Sequence, residues 1–116
     1  MANTFKVINF AAEPNSAGTP FTMYTVASST TTVVLGLVLA NIHTTAVTAE
    51  VELVSTTSNR AGANNAANGT SFLVKDVNIP SGTSLELLSG GKVVLEAGDV
   101  IRIDCSVADK LSGTLS

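Results

Sequence analysis

The chain has 116 residues, of which 45 % are apolar and only 13 % charged, with a net charge of −3 and an isoelectric point near 4.8. That length suits one domain with a single core, and the charged share is about half that of an average globular chain. The six basic residues, Lys6, Arg60, Lys75, Lys92, Arg102 and Lys110, stand singly, so no cluster can neutralise a run of phosphates and nucleic acid is not an expected partner.

A lone cysteine, Cys105, rules out an internal disulfide. Met1-Ala2-Asn3-Thr4 has neither the basic nor the apolar part of a signal peptide. The apolar run Val33–Ile42 is shorter than the roughly 20 residues of a membrane-spanning helix. The expectation is a protein made in a cytoplasm, with no membrane partner.

Taken in chain order, Thr4–Phe10 reads as a first strand, with Ile8 and Phe10 on one face and Phe5, Val7 and Asn9 on the other. Ala11–Pro20 supplies turn residues, and Phe21–Val26 alternates as a second strand. Thr31–Ile42 follows. It is apolar at odd positions (Val33, Leu35, Leu37, Leu39) and at even ones (Val34, Val38, Ala40). A strand with one wet face alternates, so this run predicts one strand covered on both sides, by core on one face and by another subunit on the other. The bulkier odd face is the expected core face. The flatter even face, Val34, Gly36, Val38 and Ala40, is the candidate assembly surface.

Ala46–Ser55 has period two, with Val47, Ala49, Val51 and Leu53 inward and Glu50 and Glu52 on an outer face expected to be solvated. Thr56–Thr70 has no periodicity and is rich in Asn, Ala and Gly. It predicts an exposed loop of about 12 residues, with Asn59, Arg60, Asn64, Asn65 and Asn68 as candidate partner contacts. Ser71–Val77 is a strand, and Pro80-Ser81-Gly82 a turn. Ser84–Leu88 and Lys92–Leu95 read as the two arms of a hairpin closed by Ser89-Gly90-Gly91. Val100–Val107 places Ile101, Ile103 and Cys105 on the inner face, and Leu111–Leu115 forms a last short strand. Eight or nine short strands, with turns every 8–12 residues and no helical period, predict an all-β chain: one antiparallel β-sandwich domain, jelly-roll-like.

Residues able to carry chemistry are sparse. His43, the only histidine, lies in a turn and has no second histidine with which to share a metal. Cys105 reads as a small core residue and not as an exposed thiolate. Glu50 and Glu52 lack the Asp-rich loop of a calcium site, and Asp99 reads as the cap of the turn at Gly98. Asn68-Gly69-Thr70 matches a glycosylation triplet, expected to be unmodified without a leader. We therefore expect no enzyme activity, no metal and no cofactor.

The segments Leu73-Val74-Lys75-Asp76-Val77-Asn78-Ile79-Pro80-Ser81-Gly82-Thr83-Ser84-Leu85-Glu86-Leu87-Leu88 and Gly91-Lys92-Val93-Val94-Leu95-Glu96-Ala97-Gly98-Asp99-Val100-Ile101-Arg102-Ile103, preceded by the apolar run ending at Ala40-Asn41, resemble small virion proteins of tailed bacteriophages, notably marine and cyanobacterial ones. The resemblance covers most of Thr31–Val107. It implies a structural role in the virion, as a capsid decoration or cement protein or as a tail, neck or fibre accessory. The implied partners are further copies of itself, as a homo-oligomer such as a trimer, and the major capsid protein or tail proteins. A carbohydrate- or receptor-binding β-sandwich module is the alternative, for which the loop Asn59–Gly69 offers amide groups.

Overall fold

Alternating apolar residues, β-branched side chains and frequent Gly and Asp turns leave this chain strands as its way to bury a face. The computed structural model describes residues 6–55, 69–88 and 92–116. Among them it has ten strands: β1 (Ile8–Glu13), β2 (Phe21–Thr25), β3 (Thr32–Val34), β4 (Leu37–Asn41), β5 (Val47–Val54), β6 (Thr70–Ile79), β7 (Ser84–Leu87), β8 (Val93–Leu95), β9 (Val100–Cys105) and β10 (Leu111–Leu115). The partner-contact loop predicted at Asn59, Arg60, Asn64, Asn65 and Asn68 lies outside the described residues.

Every pairing is antiparallel. β1 pairs with β10, β2 with β9, β3 with β8, β4 with β7 and β5 with β6. The first half of the chain thus runs as a ribbon against the second half. Two further pairings, β10 with β4 and β5 with β9, fold that ribbon over itself. The result is one sheet ordered β1-β10-β4-β7, a second ordered β2-β9-β5-β6, and the two-stranded ribbon β3-β8. The chain is all-β, and its sheets form a β-sandwich. Leu37, Leu39, Leu87, Leu111 and Leu115 from the first sheet share one buried core with Met23, Val47, Ala49, Val51, Ile101, Ile103 and Cys105 from the second. Each fully buried Leu or Ile stabilises the fold by about 1.5–3 kcal/mol relative to an exposed one.

The apolar run does not form one two-faced strand. It breaks at Leu35-Gly36, where the N–H groups of both residues donate to the Ser116 carbonyl at 2.8 and 3.2 Å and Ser116 N–H donates back to the Gly36 carbonyl at 3.0 Å. Before the break Val34 points inward and Val33 outward; after it Leu37 and Leu39 point inward and Val38 outward. The inward parity switches as the chain crosses from the ribbon to the sheet, and this switch makes the run look apolar on both faces.

Two other expectations are corrected. Thr4 and Phe5 of the expected first strand lie outside the described residues; among the described ones the strand runs over Ile8–Glu13, beyond the expected end at Phe10, with a bulge between Phe10 and Glu13. Ser84–Leu88 and Lys92–Leu95 are not arms of one hairpin, because β7 pairs with β4 whereas β8 pairs with β3.

Phe10 on β1 and Phe21 on β2 stack with ring centroids 5.2 Å apart and planes tilted by 59°, closing the seam between the sheets. Gly113, paired between Phe10 and Leu39, leaves room for that arrangement. A Cβ there would lie 2.5 Å from Phe10 Cζ and 3.1 Å from Leu39 Cδ2.

Candidate assembly surface

The two sheets present unlike faces to their surroundings. Strands β5, β6 and β9 carry six charged residues, Glu50, Glu52, Lys75, Asp76, Arg102 and Asp104. The sheet β1-β10-β4-β7 carries two, Glu13 at the end of β1 and Glu86 on β7, and its central strands β10 and β4 carry none.

On the charged sheet two ion pairs cross between strands, Glu52 with Arg102 and Glu50 with Lys75. Glu52 is 7 % exposed, so the solvated position expected for it is corrected. Its carboxylate accepts from Arg102 Nε at 2.9 Å and from the second guanidinium nitrogen, across the register pair Glu52–Arg102. Both guanidinium donors meet the one oxygen Oε2, and the pairing offsets the cost of burying the carboxylate alone. Glu50 sits opposite Asp104, and its carboxylate accepts from Lys75 Nζ at 3.1 Å. That hydrogen bond raises the pKa of Lys75 above its ordinary value. Lys75 Nζ also lies 4.7 Å from the centre of the Phe72 ring.

A depression of about 340 Å³ on this side is bordered by Glu50, Asp76, Asp104 and Cys105. Its carboxylates are engaged: Asp104 Oδ1 accepts from Gly18 N–H at 3.2 Å and Cys105 N–H at 2.8 Å. Among the described residues no group of three or more His, Cys, Asp and Glu is placed to hold a metal ion. Cys105 is free and buried. His43 engages neighbours through its backbone, its N–H donating to Asn41 Oδ1 at 2.7 Å and its carbonyl accepting from Ser81 Oγ at 2.7 Å. Asp99 closes its turn as its position before β9 suggests, with Oδ2 accepting from Glu96 N–H at 2.9 Å.

The other sheet is different in kind. Its outward positions are Asn9 on β1, Ser112 and Thr114 on β10, Val38 and Ala40 on β4, and Ser84 and Glu86 on β7, aligned by the register of the four strands, with Ala11 exposed in the bulge of β1. Small side chains over Gly113 leave a shallow depression of about 350 Å³ bordered by Asn9, Ala11, Val38, Ala40, Ser112 and Thr114. Val38, on its border, is an exposed apolar residue.

The predicted assembly residues therefore divide. Val38 and Ala40 lie on this face, Gly36 sits in the bend held by Ser116, and Val34 is buried in the core at 3 % exposure. Val34 is corrected from surface to core, because it precedes the parity switch. Sequence reasoning missed Asn9, Ala11, Ser112 and Thr114. They join Val38 and Ala40 through pairings between the two ends of the chain, which no local pattern signals.

Comparison with known protein families, with curated proteins and with solved structures finds no match for this chain.

Proposed function

We propose that this chain is a non-enzymatic structural protein of a tailed-phage virion, a capsid decoration or cement protein that associates with its own copies and binds the particle surface. The observation that carries this reading is the inequality of the two outer sheet faces. One is a charged, internally paired face suited to water. The other is nearly free of charge and built of small, hydroxyl, amide and aliphatic side chains, which pack against protein without stripping water from ions. The nested strand pairing supports a jelly-roll assignment, an architecture shared by capsid and lectin domains; at the level of fold this is analogy and not function. The resemblance of Leu73–Leu88 and Gly91–Ile103 to small virion proteins points the same way.

The test is protein analysis of gradient-purified particles of the phage that encodes this chain. We expect the protein there in many copies per particle; its absence from intact particles refutes the reading. A tail or fibre accessory with a sugar-binding role is the second reading. It is favoured by Phe72, which is 45 % exposed on the charged sheet. A glycan array without a hit removes it.

A further inference from the structure

We infer that the ribbon β3-β8 is a strap across one end of the sandwich, and that it opens as a unit while both sheets stay folded. This is a property of the folded chain, whatever its partners.

Topology sets the ribbon apart. β4, β10, β5 and β9 each have a strand on both sides, whereas β3 and β8 pair only with each other among the described residues. At its base the ribbon leaves the first sheet through the bend Leu35-Gly36, between β3 and β4. At its other end it meets the second sheet, where Tyr24 Oη on β2 and Thr32 Oγ1 on β3 share a hydrogen bond of 3.1 Å. Three residue pairs, Thr32–Leu95, Val33–Val94 and Val34–Val93, join the two arms. A two-stranded ribbon is marginal by itself, so its stability comes from what it touches.

Little of the ribbon is buried. Val33 and Val94, paired across it, are 47 % and 57 % exposed. Val34 and Leu95 point inward, and they are two of the sixteen apolar residues buried in the core among the described ones. Lifting the strap uncovers those two and leaves the other fourteen packed. The hydrophobic contribution scales with the apolar area removed from water, so this opening costs a small part of what global unfolding costs. Segments with few buried apolar residues and exposed backbone hydrogen bonds are those that open locally.

The polar ties divide into anchors and a latch. At the base, Leu35 and Gly36 N–H donate to the Ser116 carbonyl; after β8, Gly98 N–H donates to the Val26 carbonyl at 3.0 Å and Val26 N–H to the Asp99 carbonyl at 2.9 Å. These bonds lie outside the six ribbon residues and stay made when the strap lifts. The Tyr24–Thr32 bond involves a ribbon side chain and breaks, which makes it the latch.

Native-state hydrogen exchange of the whole chain, followed by NMR at low urea concentrations, tests this. Protected amides within Thr32–Val34 and Val93–Leu95 should exchange through one shared opening, at least ~100-fold faster than those of Val51 and Ile103 in the second sheet. Their common urea dependence should be shallow, because little surface is exposed. Tyr24→Phe and Thr32→Val each remove one hydroxyl of the latch. Each should speed ribbon exchange by about 2- to 10-fold, as the loss of one hydrogen bond does, and leave Val51 and Ile103 unchanged. Ribbon amides that exchange only together with Val51 and Ile103, at one rate and one urea slope, overturn the inference. So do β3 and β8 amides with unrelated rates, or latch variants that act equally on both groups or on neither.

Discussion

The side-chain amide of Asn41, at the end of β4, donates to the carbonyl of Ile79, at the end of β6, at 2.9 Å, tying one sheet of the sandwich to the other. The same Nδ2 donates to the Thr45 carbonyl at 3.0 Å, and Oδ1 accepts from His43 N–H at 2.7 Å. Asn41 is 3 % exposed, so one amide satisfies three backbone groups where water does not easily reach. Asn41→Ala should cost about 1–3 kcal/mol, the penalty for stranding buried backbone groups, measured by urea denaturation. Asn41→Asp should cost more, since it points acceptors at two carbonyls.

The Glu52–Arg102 pair is the second buried polar device. Arg102→Ala leaves a nearly buried carboxylate without its cation and should cost about 2 kcal/mol, less than a fully buried pair because the Arg102 side chain is 33 % exposed. The double variant Glu52→Gln with Arg102→Met should recover much of that loss. A double-mutant cycle with no coupling contradicts the assignment.

Gly113 is required by its neighbours and not by its backbone. Gly113→Ala drives a Cβ into the Phe10 ring and should cost about 1–3 kcal/mol, as overpacking does. Gly113→Ala combined with Phe10→Leu should be less destabilised than the sum of the two single changes, as read from thermal melts.

Lys75 offers a pH signature. Its pKa is raised in the folded chain, chiefly by the hydrogen bond to Glu50. A raised basic group stabilises fully below its unfolded pKa, near 10.5, and loses that contribution as the pH rises through the folded value. Melting temperatures of the wild type and Lys75→Gln should therefore differ slightly at pH 8 and converge as the pH rises through the raised folded value. Since Lys75 is at the surface, the difference should also shrink with added salt.

Much of the fold was legible from period alone. Val47, Ala49 and Val51, and Ile101, Ile103 and Cys105, alternate because each strand buries one face, and all six are buried. The turn at Gly98 and Asp99 was readable from its residues, since the carboxylate acts within its own turn. What was not legible depends on partners far away in sequence. The break at Leu35-Gly36 is held by Ser116, and the separation of β7 from β8 follows from their pairing with β4 and β3. Half of the candidate surface, Val38 and Ala40, was visible on one strand. The other half arrives from β1 and β10, at opposite ends of the chain.

The most direct test of the proposed virion role is electron microscopy of tailed-phage particles assembled with and without this protein. The account predicts added density of this chain's size on the particle surface, with the face containing Val38 and Ala40 turned toward protein and that of Glu52 and Arg102 toward solvent. Particles identical in the two preparations would contradict it.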